Sequence, residues 1–144
     1  MTDAEPNTGL LLFYPYRALE SRVLAALGAA GFEITLAQAR LLQRVAAGGS
    51  RLTDLAAQAQ VTKQTAGELV DQLELRGYVE RVADPRDGRA RLIRLAPRGW
   101  DAASVAAPVV AAVEAEWADH LGSEELAALR AALLRLREIT DPWA

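Results

Sequence analysis

Arginine is concentrated in residues 76–98, which carry seven arginines against three carboxylates, a local net charge of +4. The whole chain has 16 basic and 19 acidic residues, so 9 basic and 16 acidic residues remain outside this stretch. Guanidinium groups clustered on an otherwise acidic protein favour a polyanionic partner for this stretch alone. The seven are Arg76, Arg81, Arg86, Arg89, Arg91, Arg94 and Arg98.

The pattern around these arginines predicts a β-hairpin. Residues 78–82 and 90–95 alternate bulky with polar side chains, as strands do. The residues between them, Asp84-Pro85-Arg86-Asp87-Gly88, are typical of a turn. The basic side chains are therefore expected on two paired strands and at the turn that joins them.

A helix-turn-helix is predicted just before the hairpin. A helix over residues 53–59, with a hydroxyl cap at its start, leads to a tight turn at Gln60 and Val61 and to a longer helix capped by Thr62. The second helix of this motif presents its first turns to the DNA major groove. Its apolar face is Ala66, Leu69, Val70 and Leu73, and its DNA-contacting candidates are Thr62, Lys63, Gln64 and Thr65.

An ordinary helical hairpin with solvated polar residues would show the same spacing. The arginine-rich hairpin that follows decides between the two interpretations, because a helix-turn-helix joined to a basic two-stranded wing is a much rarer combination. The sequence therefore favours DNA binding.

The segments before this motif are predicted to be helical. Apolar residues recur every three or four positions over about twenty residues before Gly28, and Pro15 either kinks this helix or lies near its true start. Thr35 and Gln38 have the spacing of a capping box, and the helix that they begin is expected to end near Ala47.

Two further helices are expected after the hairpin. The first covers residues 100–120 and is interrupted or bent at Pro108, and the second begins with a serine cap at Ser123 and an acidic first turn. The last helix carries an apolar face, and residues 10–19 carry another, so both need a cover. Dimerisation through both termini provides one, and burial within a single subunit is the alternative.

Composition excludes several classes of protein. The 144 residues suit one globular domain, and without cysteine and with a single histidine there is no thiolate chemistry and little basis for a metal site. We expect no cofactor and no enzymatic activity, because no catalytic constellation is visible. The chain has no apolar run of about 18 residues and an acidic start, so a soluble, cytoplasmic protein without membrane contact is expected.

Several of these stretches resemble the MarR family of bacterial winged-helix regulators, and the resemblance covers nearly the whole chain. The wing sequence Asp84-Pro85-Arg86-Asp87-Gly88-Arg89 is its most specific part. It implies a mainly α fold with a small β-hairpin wing, in which a winged helix-turn-helix is flanked by N- and C-terminal dimerisation helices. The other matching stretches are Leu52-Thr53-Asp54-Leu55-Ala56, Leu69-Val70-Asp71-Gln72-Leu73-Glu74 and Arg76-Gly77-Tyr78-Val79.

The resemblance assigns roles within the wing. Arg89 would enter the minor groove, the Asp87 carboxylate would hold it in place, and Arg86 at the same tip is a second candidate. Further DNA-binding candidates among the hairpin arginines are Arg76, Arg91 and Arg94. The implied partner is double-stranded DNA with a pseudo-palindromic operator, bound by a homodimer.

The recognition helix departs from the family at two positions. Many members have a small hydroxyl residue followed by arginine where this chain has Gly67 and Glu68. A carboxylate there repels phosphate, so Glu68 either accepts a hydrogen bond from a cytosine amino group or is an exposed residue that pairs with a neighbour.

The family layout also implies a ligand site where the dimerisation region meets the DNA-binding lobe. Aromatic walls with a basic partner suit a small aromatic acid, although aromatic residues at helical spacing are more often core. The candidates are Phe13, Tyr14, Tyr16, Arg17, Arg44, Trp100 and Trp117.

These observations predict one compact chain in three parts: a tail and dimerisation helix over residues 1–34, a DNA-binding lobe over 35–99 and dimerisation helices over 100–144. The predicted function is a sequence-specific transcriptional regulator, a repressor released by a small aromatic ligand. The alternative is a winged-helix interaction or dimerisation module without specific DNA binding, which would not need arginines at the wing tip.

Overall fold

The computed structural model describes residues 4–143, and within them the chain is mostly helical with one antiparallel hairpin. The elements are α1 Thr8–Ala29, α2 Leu36–Leu42, α3 Leu52–Ala59, α4 Lys63–Leu75, β1 Val79–Asp84, β2 Asp87–Leu95, α5 Pro97–Leu121 and α6 Ser123–Thr140. The predicted fold class, mainly α with a β-hairpin wing, is confirmed. None of the described helices combines the length and apolar character needed to cross a membrane.

The hydrophobic core lies under the helix-turn-helix and the base of the hairpin. Leu41, Leu55 and Val70 are fully buried, and each comes from a different one of the helices α2, α3 and α4. Tyr78 and Ile93 extend the core beneath the strands. The predicted buried face of α4 is confirmed at all four positions.

Two predicted helix starts are confirmed in atomic detail. The Thr35 hydroxyl accepts from the Gln38 backbone N–H at 3.2 Å, and the Gln38 side chain accepts from the Thr35 N–H at 3.0 Å. The Thr62 hydroxyl accepts from the Thr65 N–H at 3.0 Å. Gln60 adopts a left-handed conformation with φ of 57°, which produces the tight turn between α3 and α4.

Two predicted caps are wrong. Helix α3 begins at Leu52, and Arg51 holds its N-cap position without a side-chain hydrogen bond to the helix, so Thr53 already lies inside the helix. Helix α6 is capped by Gly122, whose φ of 90° suits glycine, and Ser123 is its first helical residue.

Helix α2 ends at Leu42, earlier than the predicted end near Ala47. Beyond the helix, the Ser50 hydroxyl accepts from the Ala46 N–H at 2.9 Å and the Ser50 backbone pairs with Ile93 of β2. A long-range strand contact of this kind cannot be read from helical periodicity.

The hairpin is tighter than the sequence predicts. Strand β1 extends to Asp84 and β2 begins at Asp87, so that only Pro85 and Arg86 form the turn. The register is regular from Val79 opposite Leu95 and shifts between Ala83 and Asp84. The local irregularity lies at the residue that begins the wing tip.

Both prolines that the sequence marks as possible interruptions lie within helices. Helix α1 begins at Thr8, so Pro15 is internal rather than near the start, and Pro108 is internal to α5. Helix α5 begins at Pro97, earlier than predicted, and a Cβ at Gly99 would collide with the carbonyl oxygen of Tyr78. Glycine is required there because the first turn of α5 lies directly on the chain at the start of β1.

The chain divides into two compact units, one ending at Ala107 and the other beginning at Pro108. The first contains the helix-turn-helix and wing with α1 and the start of α5. The second contains the rest of α5 and α6, and it holds an ion pair between Arg130 and Glu114 at 3.2 Å.

Candidate nucleic-acid interface

The first turn of α4 presents a row of polar side chains to solvent. The Thr62 hydroxyl donates to the Thr65 hydroxyl at 3.0 Å, which fixes both at the start of the helix. Lys63, Gln64 and Thr65 are exposed. Lys63 and Gln64 have no ion pair or side-chain hydrogen bond within residues 4–143, so their donors and acceptors are available to a ligand.

Glu68 lies on the same exposed side, one turn further along α4. It has no ion pair within the described chain, whereas the other two carboxylates of this helix, Asp71 and Glu74, both bind Arg81. A pairing of Glu68 with a neighbour is therefore not seen. Close packing against the preceding helix does not require glycine at position 67. A Cβ there would lie 3.8 Å from the Leu52 side chain, which is an ordinary van der Waals contact.

Four of the seven hairpin arginines are engaged inside the molecule. Arg81 binds Asp71 at 2.7 Å and Glu74 at 2.8 Å, and Arg94 binds its cross-strand neighbour Glu80 at 2.6 Å. The other two pairings are that of Arg76 with Glu33 at 3.5 Å and the stacking of Arg98 over Phe32 and Tyr78. The positive charge of these four is therefore directed largely at internal contacts.

The remaining three arginines, Arg86, Arg89 and Arg91, are exposed at the wing tip and on β2. Their guanidinium groups form no ion pair or hydrogen bond with any residue between positions 4 and 143. Asp87 accepts from the backbone N–H of Arg89 at 3.1 Å, so in this structure it holds the backbone of Arg89 rather than its guanidinium. The free cationic groups of the hairpin thus lie at its outer end.

Sequence reasoning missed the contact that ties the wing to α3. The Arg51 guanidinium donates to Asp84 Oδ2 through Nη2 at 2.8 Å and Nε at 3.3 Å. The Arg86 backbone N–H, with the Arg51 guanidinium, lowers the pKa of the Asp84 carboxyl below its ordinary value. No local signal links two residues so far apart in sequence.

A second missed site joins α1 to α2 around Glu20, which is only 8% exposed. Glu20 accepts from Arg40 at 2.9 and 3.1 Å and from the Tyr16 hydroxyl at 3.0 Å. The Arg40 hydrogen bond lowers the pKa of Glu20 against the opposing effect of burial, and Tyr16 lowers it further. A carboxylate four residues after an aromatic on an apolar helix was the available signal.

The ligand candidates fall into separate groups. Tyr16 and Arg44 both lie near Glu20, where Arg44 donates to the backbone carbonyls of Gln58 at 3.0 Å and Arg40 at 2.6 Å. The Arg17 guanidinium lies over the rings of Phe13 and Tyr14, at 5.4 and 5.6 Å from their centroids. Of the two candidate tryptophans, Trp100 is exposed at the start of α5 and Trp117 belongs to the second unit.

Comparison with known proteins also points to a winged-helix regulator. A model described as MarR family matches residues 32–90, the helix-turn-helix and most of the wing. No curated protein matches the chain.

Many solved structures are similar over nearly the full chain. The MarR family protein Rv2887 of Mycobacterium tuberculosis, solved in complex with salicylic acid, is 30% identical with a TM-score of 0.66 and covers 94% of this chain and 99% of its own. CouR from Rhodococcus jostii RHA1, bound to p-coumaroyl-CoA, is 25% identical with a TM-score of 0.71, covering 96% and 94%. Apo MarR from E. coli is 21% identical with a TM-score of 0.70, covering 93% and 98%, and it supports the fold alone.

Proposed function

Because the chain belongs to the MarR family of transcriptional regulators, we propose that it is a sequence-specific repressor that binds a pseudo-palindromic operator in double-stranded DNA as a homodimer. The alternative, a winged interaction module, does not account for guanidinium groups at the wing tip that have no ion pair in the described part of the chain. The protein acts by binding, without catalysis.

One observation carries this proposal: within residues 4–143, three hairpin arginines have no ion pair or side-chain hydrogen bond, whereas the other four are held by internal contacts. An unpaired guanidinium is available to phosphate without the loss of an ion pair, whereas Arg81 would first have to leave two carboxylates. Arg89 in the minor groove, with Arg86 and Arg91 near phosphates, is the arrangement that we propose for the wing. Glu33 and Glu80 compete with phosphate for Arg76 and Arg94, so these two would contact DNA only after leaving their carboxylates.

The first turn of α4 supplies the base contacts in this proposal. Gln64 suits an adenine edge and Lys63 a guanine edge, while the two threonines suit phosphate or a thymine methyl group. All four are exposed on one helix start. These four residues lie in the DNA-binding lobe, which the sequence predicts over residues 35–99.

The proposed dimer uses the apolar side chains of the terminal helices. Helix α1 leaves Leu10, Leu11, Leu12, Phe13, Tyr14 and Tyr16 between 37% and 49% exposed. Helix α6 has no buried residue, and Leu133, Leu134 and Ile139 are exposed on it. Apolar side chains in these numbers need a cover, and a second copy of the chain provides it symmetrically.

The dimer is tested by light scattering on the purified protein. Leu133→Glu is expected to shift the mass from dimer to monomer and to weaken operator binding, because one half-site alone cannot hold the protein. Leu75→Glu is the matched control, since Leu75 is 88% exposed on α4 and lies outside the proposed interface. A wild-type protein that is monomeric at binding concentrations contradicts the dimer.

DNA binding is tested by sequencing fragments that the purified protein retains from a randomised library. The proposal expects an inverted repeat whose half-sites lie about one helical turn apart, roughly 34 Å. Retention without any enriched sequence would support the interaction-module alternative or a non-specific DNA binder.

The regulatory ligand that we propose is a small aromatic acid. Salicylic acid in one related structure belongs to this class, and p-coumaroyl-CoA in the other is the coenzyme A thioester of an aromatic acid. In this chain the hydroxyl of Tyr16 and the guanidinium of Arg44 lie near the same carboxylate, Glu20, between helices α1 and α2. An aromatic acid that engages them would replace the bond of Tyr16 to Glu20 and those of Arg44 to backbone carbonyls. It would thereby favour one arrangement of these helices and change operator affinity by its differential binding to the two states.

A panel of aryl and phenolic carboxylates tests the ligand. An effector should change tryptophan fluorescence and release operator DNA over the same concentration range. Tyr16→Ala should blunt both effects while sparing ligand-free DNA binding, and Tyr16→Phe, which removes only the hydrogen bond to Glu20, separates the ring from the hydroxyl. If no compound changes either signal, this part of the proposal fails.

A further inference from the structure

The segment before α3 and the wing are joined by a continuous set of contacts. Ser50 exchanges two backbone hydrogen bonds with Ile93 of β2, both at 2.8 Å. The next residue, Arg51, stands at the N-cap position of α3 and reaches Asp84, the last residue of β1. One short segment therefore starts the first helix of the helix-turn-helix and also contacts both strands of the wing.

Asp84 is almost fully enclosed, with 5% of its surface exposed. Its Oδ2 accepts from Arg51 and its Oδ1 accepts from the backbone N–H of Arg86 at 2.9 Å. Both carboxylate oxygens are thus occupied, one by the N-cap residue of α3 and one by the turn. The strand register shifts at this residue, between Ala83 and Asp84.

This arrangement sets the direction in which the wing tip points. The turn contains only Pro85 and Arg86, so an anchor on Asp84 constrains the backbone from which the Arg86 side chain leaves. A hairpin without such an anchor is free to swing about its base, and ordering it on DNA would cost conformational entropy.

We propose that the Arg51–Asp84 pair is a positioning element for DNA binding, which holds the wing tip against α3 so that the guanidinium groups of the tip and the first turn of α4 meet one DNA site together. This inference rests on the proposed function. Neither residue contacts DNA in this role, although Arg51 is basic and partly exposed.

The direction in which Asp84→Asn changes operator affinity distinguishes a positioning role from a purely electrostatic effect. Asp84 carries a negative charge in a wing that faces a polyanion, so electrostatics alone predicts that Asp84→Asn strengthens DNA binding. The positioning role predicts the opposite. The amide introduced by Asp84→Asn would keep an oxygen for one contact but lose the charge-assisted pair with Arg51, and operator affinity is expected to fall by about tenfold.

Glu80→Gln is the matched control. It makes the same change of charge in the same strand, at a residue that is paired with Arg94 but 43% exposed in its side chain and not tied to α3. Because it frees Arg94, binding should become tighter or stay the same. Opposite directions for two carboxylate-to-amide changes in one strand cannot come from charge alone.

Arg51→Lys provides a second, independent variant. It keeps the positive charge and the exposed position but cannot make the contact through two nitrogens of one planar group. Binding should weaken while the slope of affinity against salt stays that of the wild type. An Arg51 that touched phosphate itself would instead give a shallower slope for Arg51→Ala and losses that add to those of Asp84→Asn.

The experiment measures operator affinity at several salt concentrations for the wild type and these variants, with circular dichroism as a check on folding. Weaker binding by Asp84→Asn and Arg51→Lys, and losses in the double variant smaller than their sum, support the proposal. Equal or tighter binding by folded Asp84→Asn overturns it. If Asp84→Asn does not fold, an unchanged operator affinity of Arg51→Lys overturns the proposal. A wild-type protein that prefers no DNA sequence contradicts the proposed function instead.

Discussion

Replacing Arg89 by alanine should reduce the salt dependence of DNA binding more than replacing Arg94. Both residues lie on β2 and carry the same charge. Arg89 has no internal ion pair within the described chain, whereas the Arg94 guanidinium lies 2.6 Å from Glu80. Both substitutions remove one positive charge. They differ in whether that charge is already bound to a carboxylate, so the comparison tests the effect of internal pairing.

The expected magnitude follows from counterion release. Each cation that neutralises phosphate contributes about 0.9 to the slope of log affinity against log salt, and a guanidinium in the minor groove does so because it lies between the two phosphate backbones. The slope for a dimer that loses Arg89 from both subunits should therefore be shallower by about 1.8. Between about 50 mM and about 200 mM salt, the variant should lose roughly tenfold less affinity than the wild type. Arg94→Ala removes a charge that Glu80 already offsets, and its slope should change by less than half as much.

The assay is a titration of labelled operator by fluorescence anisotropy across this salt range. Circular dichroism and the mass of each variant verify that fold and dimer persist. The double variant Glu80→Gln/Arg94→Ala is an informative control, because it removes the pair together and should leave the slope near that of the wild type.

Two results would refute this reasoning. An unchanged slope for Arg89→Ala means that this arginine does not neutralise phosphate. Equal changes in the salt slope for Arg89→Ala and Arg94→Ala mean that internal pairing does not decide which arginines reach DNA. Arg86, Arg89 and Arg91 could then not be singled out as the DNA contacts of the wing.

Three further predictions concern the recognition helix, the α1–α2 contact and the start of α5. Glu68→Arg should bind DNA more tightly but discriminate less among operator variants, as competition between variants would show; a sharper ranking contradicts this. Glu20→Gln should lower the free energy of unfolding at neutral pH by about 1–2 kcal/mol, since it removes the charge that Arg40 binds. Because the folded-state pKa of Glu20 is lowered, this stability is present above the ordinary carboxyl range and disappears as the pH falls through the folded pKa, so denaturant melts of wild type and variant should converge in acid. Gly99→Ala should cost about 1–3 kcal/mol, because the new methyl group meets the Tyr78 carbonyl, and a melt like that of the wild type would contradict it.

Local chemistry in the sequence predicted the elements whose causes are themselves local. The capping box at Thr35 and the cap at Thr62 depend on residues three positions apart, and both were correctly predicted. The buried face of α4 follows from helical periodicity, and the hairpin follows from alternation on either side of a turn. Clustered arginine likewise identified the basic wing without any structure.

Tertiary structure decided what those residues contact. After α2 ends, Ser50 pairs with a strand more than forty residues later. Neither that pairing nor the Arg51–Asp84 contact has a signature in nearby residues. The seven arginines look alike in sequence, and only the placement of their partners, Asp71, Glu74 and Glu80 among them, separates the engaged from the free. Charge composition is a property of the sequence, but the availability of a charge depends on which side chains the fold brings within hydrogen-bonding distance.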